Sequence, residues 1–191
     1  MAVSMDHVKA LRARTGAGVM DCRRALEEAK GDLAAAAELL RAKGLAAAAK
    51  RASRAASQGV VEAYVHTGSK LGALVELNCE TDFVARTDEF RNLARELAMQ
   101  VAAAAPRYVS KDDVPDEAVS EQRAAIAHEA AGGTDAEVDR RLDEWFKEAV
   151  LLEQPYIRDA GRRVGDMVTD AIARIGENIQ VRRFTRFKLG E

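Results

Sequence analysis

The segment GVVEAYVHTGSKLGALVELNC, residues 59–79, contains two stretches in which residues of opposite character alternate. A period of two predicts β-strands over residues 59–67 and 71–79, and Gly68-Ser69 between them predicts a hairpin turn. We predict that the odd-numbered residues of both strands face the core. The even-numbered side carries Val60, Tyr64, His66 and Leu74. It is more apolar than the solvent-exposed face of a sheet usually is. It indicates contact either with a partner or second subunit, or with a helix of the same chain.

The residues before the hairpin predict three short helices with alanine-rich inner sides. Ser4 and Asp32 are placed to cap the first and third helices, glycines separate the helices, and Gly44 is predicted to end the third. The predicted organisation is a helical domain over residues 1–45, a basic linker or connecting helix over 46–57, and a core domain over 58–191. The linker cations, among them Arg51 and Arg54, indicate either a phosphate-binding patch or a solvated spacer.

The residues after the hairpin predict several helices and then one strand. Thr87 is placed to cap a helix with a clear apolar stripe from Phe90 to Val101. Further helices precede Gly176, and NIQVRRFTRFKLG, residues 178–190, predicts a final strand. The fold class predicted is α+β, with a small three-stranded antiparallel sheet.

Composition limits the function classes. The 191 residues carry a net charge of −2 and only two cysteines, so neither a strong field for nucleic acid nor a disulfide framework is expected. MAVSMDHVKA lacks the apolar core of a secretion signal, and no run approaches a membrane span. We expect a cytoplasmic protein without membrane contact.

The segment NCETDFVART, residues 78–87, leaves the second strand with two acids and an aromatic residue. Phe83 either packs as a staple at the start of a helix or contacts another molecule. Glu80 and Asp82 alone make a poor metal site, and Cys79 is predicted to be a buried thiol. No enzyme signature is present, so we expect no catalytic residue, no cofactor and no metal on this chain.

The last strand carries basic and aromatic residues together, which is the basis of an alternative function. Arg182, Arg183, Arg186 and Lys188 lie beside Phe184 and Phe187. Such a strand can stack nucleic-acid bases, and the alternative is an RNA-binding accessory protein. A sequence pI near 6.0 argues against it, and direct nucleic-acid binding is not expected.

Three strings in order resemble one family. RTGAGVMDCRRAL (14–26) with Glu28 to Asp32, VELNCETDFVA (75–85) and IGENIQVRR (175–183) are similar to the signatures of the bacterial translation elongation factor Ts family. The resemblance covers essentially the whole chain. It implies a small ubiquitin-associated-like three-helix domain, then an α+β core. It also implies a guanine-nucleotide exchange factor for elongation factor Tu that acts near the partner's Mg²⁺.

The resemblance also implies which residues bind the partner. Asp82 and Phe83, flanked by Thr81 and Val84, would press on the GTPase. The helical domain would grip it through Arg12, Val19 and Met20. Ile175 and Gly176 would lie near the Asp82–Phe83 pair.

Longer members of the family carry two related copies of the core, whereas this chain shows one hairpin. His66 matches a partner-contacting histidine of the second copy, and Ile157 is a further contact candidate by the same resemblance. One chain is predicted to be unable to place Phe83 and His66 on one partner at once. We therefore expect a homodimer.

Overall fold

The computed structural model describes residues 3–129 and 134–191. The helices are α1 (Met5–Thr15), α2 (Val19–Glu28), α3 (Leu33–Arg51), α4 (Asp82–Ala85), α5 (Asp88–Ala104), α6 (Asp116–Glu129), α7 (Asp135–Ala149) and α8 (Val164–Ile175). The strands are β1 (Gln58–Val65), β2 (Leu71–Cys79), β3 (Pro155–Tyr156), β4 (Asp159–Arg163) and β5 (Ile179–Lys188). No helix in these described ranges is long and apolar enough to cross a membrane.

Helices α1, α2 and the first half of α3 surround a small core of their own. The Ser4 hydroxyl accepts from the Asp6 N–H at 3.2 Å, and the Asp32 carboxylate accepts from the N–H groups of Ala34 and Ala35. Both predicted caps are confirmed. The buried residues of this core are Val8, Leu11, Cys22, Ala25, Leu26 and Ala36.

Helix α3 does not end at Gly44, so that prediction is wrong. The helix continues to Arg51, and Gly44 is buried in its interior, where it faces α8. A Cβ built on Gly44 would lie 3.5 Å from the Cβ of Ala173, an ordinary contact distance. A glycine weakens a helix without necessarily ending it when tertiary packing supports both sides.

The predicted three-stranded antiparallel sheet is confirmed, in the order β1-β2-β5. Its inner face packs on α5 and α8 in the main core, which includes Val75, Leu77, Phe90, Leu97 and Ile172. The apolar stripe predicted for α5 is buried as expected. The β3–β4 hairpin was not predicted, because β3 has only two residues and β4 carries no apolar alternation.

The odd-numbered residues of β2 face the core, as predicted. The same prediction for β1 is wrong. In β1 the even-numbered Val60 and Tyr64 pack on the main core, whereas Val61 and Val65 are exposed. The register explains the reversal, because Tyr64 pairs with Ala73 and Val60 with Leu77. Directly paired residues of an antiparallel ladder share a face, so an even-numbered residue of β1 lies beside an odd-numbered residue of β2.

The outward side of the sheet is nevertheless apolar. We call it the outer face and define it by Val61, Ala63, Val65, Leu74 and Phe187, which the strand register places on one side. Tyr64, which was predicted to lie there, belongs to the inner face.

Candidate functional site

Helix α4 (Asp82–Ala85) is a single turn, which we call the Phe83 turn. It places the neighbouring side chains of Phe83 and Val84 in different environments. The Thr81 hydroxyl accepts from the Val84 N–H at 3.3 Å and caps α4. Phe83 is 77% exposed, while Val84 is 7% exposed and packs in the main core. The exposed ring does not staple a helix start. Val84 anchors the turn to the main core and leaves little of its own surface for a partner to contact.

The Asp82 carboxylate is exposed, as is the Phe83 ring that follows it. It forms an ion pair with Arg86, with Nη2 and Oδ2 separated by 2.7 Å, and both side chains are largely exposed. An exposed pair one helical turn apart stabilises the turn only weakly. A partner group can therefore replace Arg86 at little energetic cost.

Two sequence motifs, CETDF and IGEN, are joined by reciprocal hydrogen bonds that we call the Glu80–Glu177 clasp. The Glu177 carboxylate accepts from the Glu80 N–H and the Thr81 N–H, each at 3.1 Å, and from the Thr81 hydroxyl at 2.6 Å. In return, the Glu80 carboxylate accepts from the Asn178 N–H at 2.6 Å. These bonds join Glu177 and Asn178, which follow Ile175–Gly176, to Glu80 and Thr81, which precede Asp82–Phe83.

The basic linker is fastened to the same place. Arg51 Nε donates to the Gly176 carbonyl at 2.9 Å, and Arg54 Nη1 lies 3.4 Å from the Glu80 carboxylate. The Asn178 side-chain amide donates to the carbonyls of Ala52 and Arg54 at 3.3 and 2.7 Å. Two of the linker cations therefore hold the linker against the clasp, which neither sequence interpretation had anticipated.

The exposed α1–α2 turn lies close to the end of α8. Arg12, Val19 and Met20 are all exposed there. Gly16 ends α1 in the left-handed region at φ 68°, and a Cβ on it would meet the Arg174 side chain at 3.0 Å.

Arg174 connects this turn to the surroundings of Phe83. Its Nε donates to the Glu89 carboxylate at 2.7 Å, in the first turn of α5. Arg174, near the end of α8, therefore lies beside the α1–α2 turn and binds the first turn of α5. Glu177, just beyond the helix, binds the residues that precede Asp82 and Phe83.

His66 and Ile157, the two remaining predicted contact residues, lie in other parts of the fold. His66 follows β1 at the hairpin end of the sheet, where Nδ1 lies 2.9 Å from the Tyr64 hydroxyl. Phe83 follows the other end of β2, and the nine residues of that strand span roughly 26 Å at about 3.3 Å per residue. Ile157 lies in the turn between β3 and β4, where its N–H donates to Gln100 Oε1 at 2.9 Å.

Cys79 is buried, as predicted, and burial raises the pKa of its thiol, with the nearby Glu177 adding to the rise. Its S–H donates to the Thr81 carbonyl at 3.1 Å, so the group is an inert part of the turn. Residues 3–129 and 134–191 contain no cluster of three or more His, Cys, Asp or Glu side chains that could hold a metal.

The basic strand proposed for RNA is largely engaged within the chain. Arg183 Nε donates to the Glu76 carboxylate at 2.6 Å, and Arg186 binds the Ala102 carbonyl and Glu191. Phe184 packs on the main core, which leaves Phe187 as the exposed ring of this strand. The Glu76–Arg183 pair is exposed and holds Arg183 only weakly, but a single exposed ring offers little area on which bases can stack.

Comparisons with known proteins agree on one family. The family model described as elongation factor TS matches residues 44–191. A protein of Carboxydothermus hydrogenoformans named elongation factor Ts is 55% identical over 195 aligned residues, which cover 99% of this chain and 90% of that protein. Proteins of the same name from Caldanaerobacter subterraneus and Thermotoga neapolitana are 52% and 50% identical, with 98% and 99% of their lengths covered.

Proposed function

The chain belongs to the elongation factor Ts family, and we propose that it is the guanine-nucleotide exchange factor for elongation factor Tu. It binds the GDP-bound GTPase and the nucleotide-free form, and it prefers the second. Coupling between two ligands of one protein is reciprocal. If bound nucleotide weakens the affinity of the GTPase for the exchange factor by some factor, the bound exchange factor weakens its affinity for the nucleotide by the same factor. This chain carries out no covalent chemistry in that process.

The observation that carries the proposal is Phe83, a large apolar side chain held in water on a turn that the rest of the chain fixes. Burying such a ring would contribute about 1.5–3 kcal/mol of favourable free energy. A protein partner that covers the ring can gain this free energy on binding. In the proposed complex the ring enters between elements of the GTPase close to its Mg²⁺. Asp82 exchanges Arg86 for hydrogen bonds with the partner.

The proposed contact area has a second part on the helical domain. Arg12, Val19 and Met20 grip the GTPase domain, while Ile175 and Gly176 support the Phe83 turn from the end of α8. Removing the supports of a bound Mg²⁺ eliminates a large local charge that holds the nucleotide phosphates. The Mg²⁺ concerned belongs to the partner.

We further propose that the chain acts as a homodimer through the outer face. Val61 and Val65 are 68% and 65% exposed there, and Leu74 and Phe187 extend the apolar area across the sheet. The same face carries the Glu76–Arg183 ion pair, so two copies related by a two-fold axis can oppose unlike charges. A second copy would present its own His66 to the partner that one chain touches with Phe83.

The experiment that tests the exchange function is the release of fluorescent GDP from elongation factor Tu. The wild-type chain should accelerate release strongly, and Phe83→Ala should accelerate it much less. Leu189→Ala is the matched control, because Leu189 is 76% exposed and follows the far end of the last strand. A wild-type chain without effect would refute the exchange function. Equal acceleration by wild type and Phe83→Ala would refute the role of the turn.

A further inference from the structure

We infer that Glu177 is a positioning residue for exchange, which fixes the Phe83 turn in the orientation that acts on the partner. The inference rests on the proposed function and adds a residue to it. Glu177 follows Gly176, the residue that ends α8 in the left-handed region at φ 85°. This sharp end directs the Glu177 carboxylate toward Glu80 and Thr81, which are more than ninety positions away in the chain.

Glu177 holds the backbone before the Phe83 turn through several hydrogen bonds to its carboxylate. Glu177 Oε2 accepts two backbone N–H groups, and Oε1 accepts the Thr81 hydroxyl. Hydrogen bonds to an ionised acceptor are stronger than neutral ones. Three of them on two consecutive residues fix both the position and the direction of the backbone that enters the turn.

The Thr81 hydroxyl forms two hydrogen bonds with different roles. It donates to Glu177 and accepts from the Val84 N–H, and the second bond caps α4. A hydroxyl has one hydrogen to donate. By taking that hydrogen, Glu177 orients the oxygen so that its lone pairs are available for the cap.

The Phe83 turn is too short to be a stable helix on its own. Helix α4 has four residues, and an isolated helix of that length is unstable because nucleation is unfavourable. Val84 and Ala85 fix the turn on the inner side. Phe83 is exposed, so packing within the chain does little to fix it, and its direction depends on the backbone that Glu177 holds.

The clasp also fastens the linker. Glu80 and Asn178 complete it, and the Asn178 side chain binds the linker carbonyls of Ala52 and Arg54. The Phe83 turn and the segment leading from the helical domain therefore share one anchor. Precise relative placement matters for a protein that contacts its partner at two separate points.

The test measures GDP release from elongation factor Tu over a range of exchange-factor concentrations. Glu177→Ala is expected to lower the maximal rate roughly tenfold, as misplacement of a reacting element can, while the half-saturating concentration changes little. Glu177→Gln should recover part of the rate, because its amide oxygen can still accept the two N–H groups, whereas its NH₂ group cannot accept the Thr81 hydrogen and the charge is lost. Glu137→Ala, which removes a multiply bonded carboxylate on α7, is the control expected to match wild type.

A double variant separates positioning from general damage. If Glu177 acts through Phe83, Glu177→Ala should slow exchange little further in a Phe83→Ala background. An equal loss in both backgrounds would overturn the inference, as would a wild-type maximal rate for Glu177→Ala. Failure of the proposed function is visible separately, because the wild-type chain would then not accelerate release.

Amide hydrogen exchange gives a readout that does not depend on the partner. In Glu177→Ala, the N–H groups of Glu80 and Thr81 should exchange faster, while those in the middle of α5 should keep their protection. Unchanged exchange at Glu80 and Thr81 would overturn the structural basis of the inference even if the exchange function holds.

Discussion

Phe83 and Val84 are consecutive residues of one helical turn, yet their side chains lie in opposite environments, one in water and the other in the main core. Consecutive helix positions point about 100° apart, so a turn anchored through Val84 must present Phe83 outward. The ring is thus displayed because its neighbour is buried. Each residue should therefore affect a different property of the molecule.

The first prediction concerns stability at these two positions. Phe83→Ala should change the free energy of unfolding by less than about 0.5 kcal/mol, as is usual for exposed sites. Val84→Ala should lower it by about 1–3 kcal/mol, because it removes buried methyl groups and leaves a cavity. Urea denaturation followed by circular dichroism measures both. A large loss for Phe83→Ala would mean that the ring packs within the chain.

The second prediction contrasts two glycines. Gly44→Ala should raise the free energy of unfolding by about 0.5–1 kcal/mol, because alanine loses less chain entropy in a helix and the new Cβ meets Ala173 at 3.5 Å. Gly59→Ala should lower it by about 1–3 kcal/mol, because its Cβ would lie 2.1 Å from the Leu77 carbonyl oxygen. Thermal unfolding measures both, and a destabilised Gly44→Ala would show that α3 and α8 cannot accept a methyl group.

Local patterns in the sequence predict the helices, their caps and the three strands, because these depend on residues close together in the chain. The facing of β1 depends on its register with β2, and the pairing of Tyr64 with Ala73 reverses a prediction made strand by strand. The end of α3 was misplaced because Gly44 was interpreted without the neighbouring α8.

The candidate site shows the same limit. Phe83 stands out as an aromatic residue on a turn, and the resemblance places Ile175 and Gly176 near it. The clasp does not follow from either argument, because Glu177 and Thr81 are joined only in the folded chain. A glutamate after a helix-ending glycine, in a motif shared with the family, was the one signal available.

The third prediction concerns pH. Burial, together with the hydrogen bond that the Tyr156 hydroxyl donates to Glu96, raises the pKa of Tyr156 to about 12. Unfolded tyrosine ionises near pH 10, so the folded state holds this proton more tightly. The resulting stabilisation is complete below pH 10 and is lost as the pH rises toward about 12.

Absorbance titration of tyrosinate tests this prediction. Among the three tyrosines of the chain, one should ionise late in the folded protein, and Tyr156→Phe should remove that late step. The same variant should also reduce the fall in unfolding free energy between pH 10 and about 12. If Tyr156→Phe instead removed a tyrosine that ionises near pH 10, the prediction would be contradicted.

The fourth prediction concerns the outer face. If two copies pair there, the wild-type chain should scatter light as a particle of twice 20.7 kDa. Val65→Lys should shift it toward the single-chain mass, because a lysine in the apolar part of the interface, opposite Gly72 and close to Phe187, must lose its hydration. The fold should persist, since Val65 is exposed in one chain.

Met5→Lys provides the control for the outer face. It places the same charge on an exposed apolar residue of α1, outside the sheet, and should leave the mass unchanged. A wild-type chain that is a single copy at working concentration would refute the homodimer. In that case exchange would have to proceed without His66 at the same partner, because His66 lies at the opposite end of β2 from Phe83 and a second copy could no longer supply it. His66→Ala would then have no effect on GDP release, whereas in a dimer it should slow release without changing the mass.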